Sequence, residues 1–359
     1  MKKQNKSAEL ANESGEIPSL DGWRAVAIII VFLSHAGLGN IIPGGLGVTI
    51  FFFLSGYLIT TLLCREHSRN GSISIKNFYI RRVLRLTPPL LATLIICYSL
   101  AHLGVFKGNI SIYGFLAQLF YFANFYSLYF DPGNTTPAGT GVFWSLAVEE
   151  HFYLVFPCIF LALYQIKQKT KFALTLSIIC TAVLAWRCIL VFILHANTER
   201  TYYATDTRID SIVFGCLLAI LKNPTNKKTV QHTCKTYDYV IFSAGMILLL
   251  STLLIRNIDF RETVRYTIQG IALAPLFYYS ILFQNRTPFT ILNSNAMRQI
   301  GKYSYSIYLI HYILIENLAK ATPYRTTNAI IAIALSIGYA FLIDRHIDKP
   351  FHSLRKKFR

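Results

Sequence analysis

Apolar stretches of about 18–20 residues, the length that spans a bilayer as a helix, recur from residue 24 to residue 344 with no polar block between them. Such runs can cross a bilayer only if each satisfies its own backbone hydrogen bonds, which a helix does. The expected fold is therefore all-α: one polytopic membrane helix bundle. Ten spans are predicted, at residues 24–42, 44–64, 83–106, 142–164, 172–194, 208–221, 238–255, 264–283, 300–318 and 328–344. The composition agrees, with 53% hydrophobic and only 14% charged residues, against about 25% charged in soluble globular chains. A disordered, collagenous or disulfide-scaffold protein is excluded. The first run ends in Ser34-His35, has no small-residue cleavage site and is followed by further spans, so it does not read as a removable signal peptide.

Segment 111–130 is aromatic-rich and is an eleventh candidate, and loop charge decides its placement. If it does not span and the N-terminus is cytoplasmic, 24 of the 35 Lys and Arg residues fall inside and 6 outside. If it spans, the later loops invert and the totals become 14 inside and 16 outside. Only the first arrangement obeys the positive-inside rule. About ten transmembrane helices are therefore expected, with 107–141 a partly membrane-embedded external segment and both termini cytoplasmic. The same sidedness accounts for the net charge of +18 without nucleic acid as a partner. Residues 1–17 are expected to be a disordered cytoplasmic tail, 18–350 the membrane domain and 351–359 a basic cytoplasmic tail. The seven cysteines form no C-x-x-C pair and sit mostly in apolar runs, so they read as packing residues. No metal motif is visible, and no internal repeat of the kind transporters carry is evident.

Titratable groups within spans are costly and point to function. Arg24 and His35 are eleven residues apart, which returns them to within about 20° of one helix face and places His35 about 16 Å above Arg24. With Arg24 at the cytoplasmic surface, His35 is expected near mid-membrane. Glu149 and Glu150 enter from the opposite side and descend about 11 Å, to a similar depth. They point about 100° apart, so at most one of them is expected to face His35. His311 also lies about 16 Å above the inner end of its span. Its neighbours Tyr303, Tyr305, Tyr308 and Tyr312 suit packing as well as chemistry. Arg82 and Arg85 share a helix face at the inner edge, a pairing suited to phosphate oxygens or to acidic lipid. Asp206, Arg208 and Asp210 form a polar cluster at an outer edge, either a docking place for a hydroxylated acceptor or a self-paired structural group.

In this order, the Arg-x10-His spacing (Arg24, His35), FFFLSGYLIT (51–60), RRVLR (81–85), FWSLAVEEHFYLVFP (143–157), TDTRID (205–210) and YSIYLIH (305–311) resemble the acyltransferase-3 family of integral membrane O-acyltransferases. The resemblance covers about residues 20–350. Ala147 and His151 stand where similar members commonly have Ser and Gln. Many relatives also carry an extracytoplasmic hydrolase-like domain, which is not expected within these 359 residues. The resemblance implies transfer of an acyl group, often acetyl, from cytoplasmic acyl-CoA to a hydroxyl of an extracytoplasmic or lipid-linked glycan, in a bacterial inner membrane. Acyl-CoA is then a co-substrate and no cofactor is permanently bound. His35 would act as general base or transient acyl carrier, with Glu149 or Glu150 fixing its tautomer. Arg24, Arg82 and Arg85 would hold the donor. Asp206, Arg208, Asp210 and His311 complete the expected binding set. The rival reading is a secondary transporter that relays protons through His35, His311 and the glutamates.

Overall fold

Each of the ten predicted segments is a helix in the computed structural model, which describes residues 17–131, 135–164, 168–225, 235–319 and 323–358. Residues 1–16 of the expected tail and Cys234 lie outside the described residues. The chain runs α1 (Pro18–Leu33), α2 (Gly44–Asn70), α3 (Ile75–His102), α4 (Ile112–Leu119), α5 (Ala123–Tyr129), α6 (Trp144–Tyr164), α7 (Lys169–Phe192) and α8 (Thr198–Tyr203). It continues as α9 (Thr205–Leu221), α10 (Thr236–Leu254), α11 (Ile258–Glu262), α12 (Arg265–Leu282), α13 (Asn295–Leu318), α14 (Arg325–Ile343) and α15 (Lys349–Lys356). Seven helices are long and apolar enough to cross a membrane: α1 to α3, α6, α7, α10 and α14 with their flanking turns. The other three, α9, α12 and α13, line up with predicted spans but carry buried polar groups such as Arg208, Asp210, Gln269 and His311, which lower their hydropathy.

Local sequence sets the helix ends. Ser74 and Ser294 cap α3 and α13 by accepting from the backbone N–H groups of Asn77 and Met297. Gly71 ends α2 with a left-handed φ of 71°, the conformation that glycine takes without strain. Segment 111–130 breaks into α4 and α5, of 8 and 7 residues. Both are far shorter than the ~20 residues a spanning helix needs. Tyr113, Phe120, Phe122 and Tyr129 remain exposed along them, as suits a segment lying at a membrane surface. Residues 349–356, straddling the boundary drawn between domain and tail, fold as α15 and pack on α3.

α2 is the most buried of the seven long helices, at 83%, and packs closely on α9. A Cβ on Gly56 would stand 1.9 Å from the Ile212 carbonyl oxygen, and one on Gly215 would stand 1.9 Å from that of Phe53. Two glycines thus let the backbones touch, the small-residue crossing typical of membrane helices. Two apolar clusters fill the bundle on either side of α2, one around Phe52, Trp144 and Phe156, the other around Trp23, Phe53 and Phe277. The six described cysteines are unpaired.

Candidate active site

α1 and α13 pack along one another, and His35 and His311 meet near their C-terminal ends. α1 gives way to a π-helical turn, Ser34–Leu38, that holds His35. His35 Nδ1 lies 2.9 Å from His311 Nε2, and the rings stack with centroids 5.1 Å apart. His311 Nδ1 lies 2.8 Å from the Tyr308 carbonyl oxygen. A carbonyl only accepts, so His311 Nδ1 carries the proton and its neutral Nε2 accepts from His35 Nδ1–H. His35 Nε2 is then left with a free lone pair. His311 is fully buried, His35 is half-buried, and Tyr312 covers His35 with ring centroids 4.2 Å apart. Such a pair holds one imidazole in a single tautomer with an accepting nitrogen free, an arrangement chemically able to take up a proton.

A second constellation lies nearer the end of the bundle where α1 begins. A cavity of about 90 Å³ is lined by Arg24, Arg82, Arg85, Glu149, Tyr153 and Tyr308, among others. Arg24 pairs with Asp21 at 2.7 Å. Arg82 stands over the Tyr153 ring at 4.7 Å, and neither Arg82 nor Arg85 makes a hydrogen bond or ion pair among the described residues. Glu149 accepts from the Tyr153 hydroxyl at 3.2 Å. Glu150 faces elsewhere and its Oε1 is buried without a partner.

The expected contact between His35 and a glutamate is not formed. No hydrogen bond or ion pair joins His35 to Glu149 or Glu150, and His311 occupies the place assigned to a carboxylate. α1 begins at Pro18, six residues before the predicted span, and α13 at Asn295, five before. His35 and His311 therefore lie about 25 Å from their helix starts. Tyr308 is one turn back from His311 on α13, and its hydroxyl meets Ser145 at 2.7 Å, one turn from Glu149 on α6. Two turns, about 10 Å, thus separate Glu149 from the histidine pair. Tyr308, Ser145 and Phe51 form the layer between.

The Asp206–Arg208–Asp210 group is not one open cluster. Asp206 receives Arg200 and the Trp186 indole, at 2.9 and 2.8 Å. Asp210 is buried in an ion pair of 2.7 Å with Arg187, whose remaining N–H groups donate to Thr207 and Thr263 carbonyls and to Thr267 Oγ1. Arg208 sits apart within a cage of aromatic rings. Sequence reading missed Arg187 as the partner of Asp210 and Tyr312 as the cover of His35. An arginine inside an apolar run, 23 residues from an in-span aspartate, was the available signal for the first.

The acyltransferase-3 family model, described as an acyltransferase domain, matches residues 17–345. O-acetyltransferase OatA of Staphylococcus aureus (strain NCTC 8325 / PS 47) is 32% identical over 354 residues, covering 95% of this chain and 57% of the relative. SACOL0978 of Staphylococcus aureus (strain COL), provisionally named an O-acetyltransferase, is 32% identical over 355 residues, covering 93% of this chain and 57% of the relative. The chain thus spans little more than half the length of these relatives. No solved structure matches it.

Proposed function

The chain belongs to the acyltransferase-3 family, and on that premise we propose that it is a membrane O-acyltransferase. It moves an acyl group, in the first instance acetyl, from cytoplasmic acyl-CoA to a hydroxyl of an extracytoplasmic or lipid-linked glycan. The observation that carries this reading is the His35–His311 pair, which leaves His35 Nε2 bare on a half-buried ring. A bare, oriented imidazole nitrogen can take the proton of an acceptor hydroxyl as that oxygen attacks a thioester. It can equally carry the acyl group for one step.

In this reading the start of α1 and the end of α14 face the cytoplasm of a bacterium, both termini are inside, and the bundle sits in the inner membrane. Arg82 and Arg85, unpaired at the cavity, hold donor phosphates through charge-assisted hydrogen bonds. Arg24, already neutralised by Asp21, lines the donor's path. The apolar surroundings keep water from the thioester. Acyl-CoA is a co-substrate and no resident cofactor is required.

The test uses purified protein in lipid nanodiscs with radiolabelled acetyl-CoA and a cell-surface glycan acceptor. Covalent label should appear on the acceptor and vanish with His35→Ala, while the variant still inserts. A transporter leaves no covalent label on the acceptor. Label transfer by His35→Ala at near-normal rate would remove His35 from the mechanism.

A further inference from the structure

Three arginines lie in or beside the TDTRID segment, and two are matched by carboxylates. Arg187 has Asp210 and Arg200 has Asp206. Arg208 has neither. Its side chain is fully buried, its one hydrogen bond is a 3.3 Å contact from Nη2 to Thr49 Oγ1, and Nε and Nη1 have no partner. What surrounds it is aromatic: the guanidinium carbon stands 3.8 Å from the Tyr266 ring centroid, 5.1 Å from Tyr202, 5.5 Å from Trp144 and 5.6 Å from Phe52. Ring faces attract a cation but do not neutralise it. A buried guanidinium without a counter-ion is a standing penalty, more so in a membrane interior.

The position gives the charge a use. Phe52 lines the cavity that holds Arg82 and Arg85, and Trp144 precedes Ser145, which also lines it. Ser145 bonds the hydroxyl of Tyr308, whose backbone carbonyl holds His311. Tyr202, on the other side of the cage, reaches Gly45 beside the Ser34–Gly44 hydrogen bond at the turn that carries His35. Arg208 therefore stands against Phe52 and Trp144, the chain neighbours of Phe51 and Ser145 in the layer that separates the donor cavity from the histidine pair.

We propose that Arg208 is a positioning residue for charge: an unmatched cation fixed beside that layer, whose counter-charge is the oxyanion of the acyl-transfer step. This inference rests on the O-acyltransferase reading. As the acceptor oxygen bonds to the thioester carbon, its proton passes to His35 Nε2 and the carbonyl π pair moves onto the carbonyl oxygen. The C–S bond then breaks, the π bond re-forms, and the CoA thiolate leaves and recovers the proton. Negative charge exists on the carbonyl oxygen only between these events. A preset cation in a low-dielectric site lowers the energy of that state and leaves ground-state binding almost untouched.

The experiment compares full-length wild type, Arg208→Met and Arg208→Lys in nanodiscs, with acetyl-CoA and a glycan acceptor. It reads kcat, both KM values and the thermal midpoint. Arg208→Met should lower kcat by about 100-fold or more, keep both KM values within about threefold, and leave the midpoint unchanged or raised, because an apolar isostere removes the buried charge. Arg208→Lys should recover at least about tenfold of the lost kcat. A Met variant that turns over within about threefold of wild type overturns the proposal. A rise in one KM alone overturns it in favour of substrate docking, and a lowered midpoint or failure to fold overturns it in favour of a structural role. An inactive wild type removes the acyl-transfer reading and this one together, whereas an active wild type matched by Arg208→Met removes this one alone.

Discussion

Replacing His311 by Phe is the sharpest test of the proposed chemistry. Phenylalanine keeps a planar ring in the buried slot, so the stacking on His35, with centroids 5.1 Å apart, is approximately retained. It removes the acceptor that receives His35 Nδ1–H at 2.9 Å. His35 then loses the contact that fixes its tautomer and would steady its imidazolium. A hydrogen bond to a charged group contributes about 1.5–3 kcal/mol, which corresponds to a factor of about 10–150 in rate. A base trapped in the wrong tautomer costs more, up to about 10⁴ in kcat in a serine protease triad. The expected drop is therefore at least about 10-fold in kcat. The donor KM should stay constant, because His311 is not among the residues that line the cavity holding Arg82 and Arg85. Initial rates of label transfer from acetyl-CoA to a glycan acceptor measure both. A variant with more than about a third of wild-type kcat, or a raised donor KM with kcat intact, would refute the tautomer argument.

Arg82→Met should raise the KM for acetyl-CoA about tenfold, the value of one charge-assisted hydrogen bond. It should leave the KM for an acetyl-pantetheine lacking phosphates unchanged, and equal effects on the two donors would leave only a lipid-anchoring role. Gly215→Ala places a Cβ 1.9 Å from the Phe53 carbonyl oxygen and should destabilise the bundle by about 1–3 kcal/mol, seen as a lower thermal midpoint. Gly338→Ala, where a Cβ meets nothing within 4 Å, should not lower it. A tolerated Gly215→Ala would show that the α2–α9 crossing does not need the glycines.

Hydropathy made the ten helical segments legible, seven of them long and apolar enough to cross a membrane, because each apolar run must form its own backbone hydrogen bonds wherever it ends up. What it misjudged was where those helices start. Ser19 and Asp21 look like residues outside the membrane, yet they are 0% and 8% exposed. Ser19 bonds the Ser280 carbonyl and Asn293, and Asp21 is bound by Arg24. Polar residues with partners on neighbouring helices can continue a helix inside the bundle, and a single-sequence hydropathy scan has no view of those partners. The same shift acts on α13. Both histidines were read about 16 Å above the inner ends of their predicted spans, and both lie about 25 Å from the starts of their helices, so their matched positions were legible. The sequence therefore carried the signal for a His35–His311 pair. Chemical habit gave His35 a carboxylate partner, and the arithmetic of descent along α6 placed Glu149 too near to reject it.

The separation of the two constellations shapes the reaction. Glu149 lies about 10 Å from the histidine pair, and Tyr308, Ser145 and Phe51 stand between. Among the described residues no path of hydrogen-bonded titratable side chains runs from the cavity to the histidine pair, since Tyr308 donates to the Val142 carbonyl and meets Ser145. Acyl transfer needs none. In the proposed reaction the flexible arm of acyl-CoA bridges the gap while its phosphates stay with Arg82 and Arg85 and the thioester advances toward His35 Nε2. That arrangement also explains why a carboxylate need not sit beside His35. A neutral imidazole partner orients the base without fixing a negative charge next to the place where the oxyanion forms, and like charges placed there would raise the barrier.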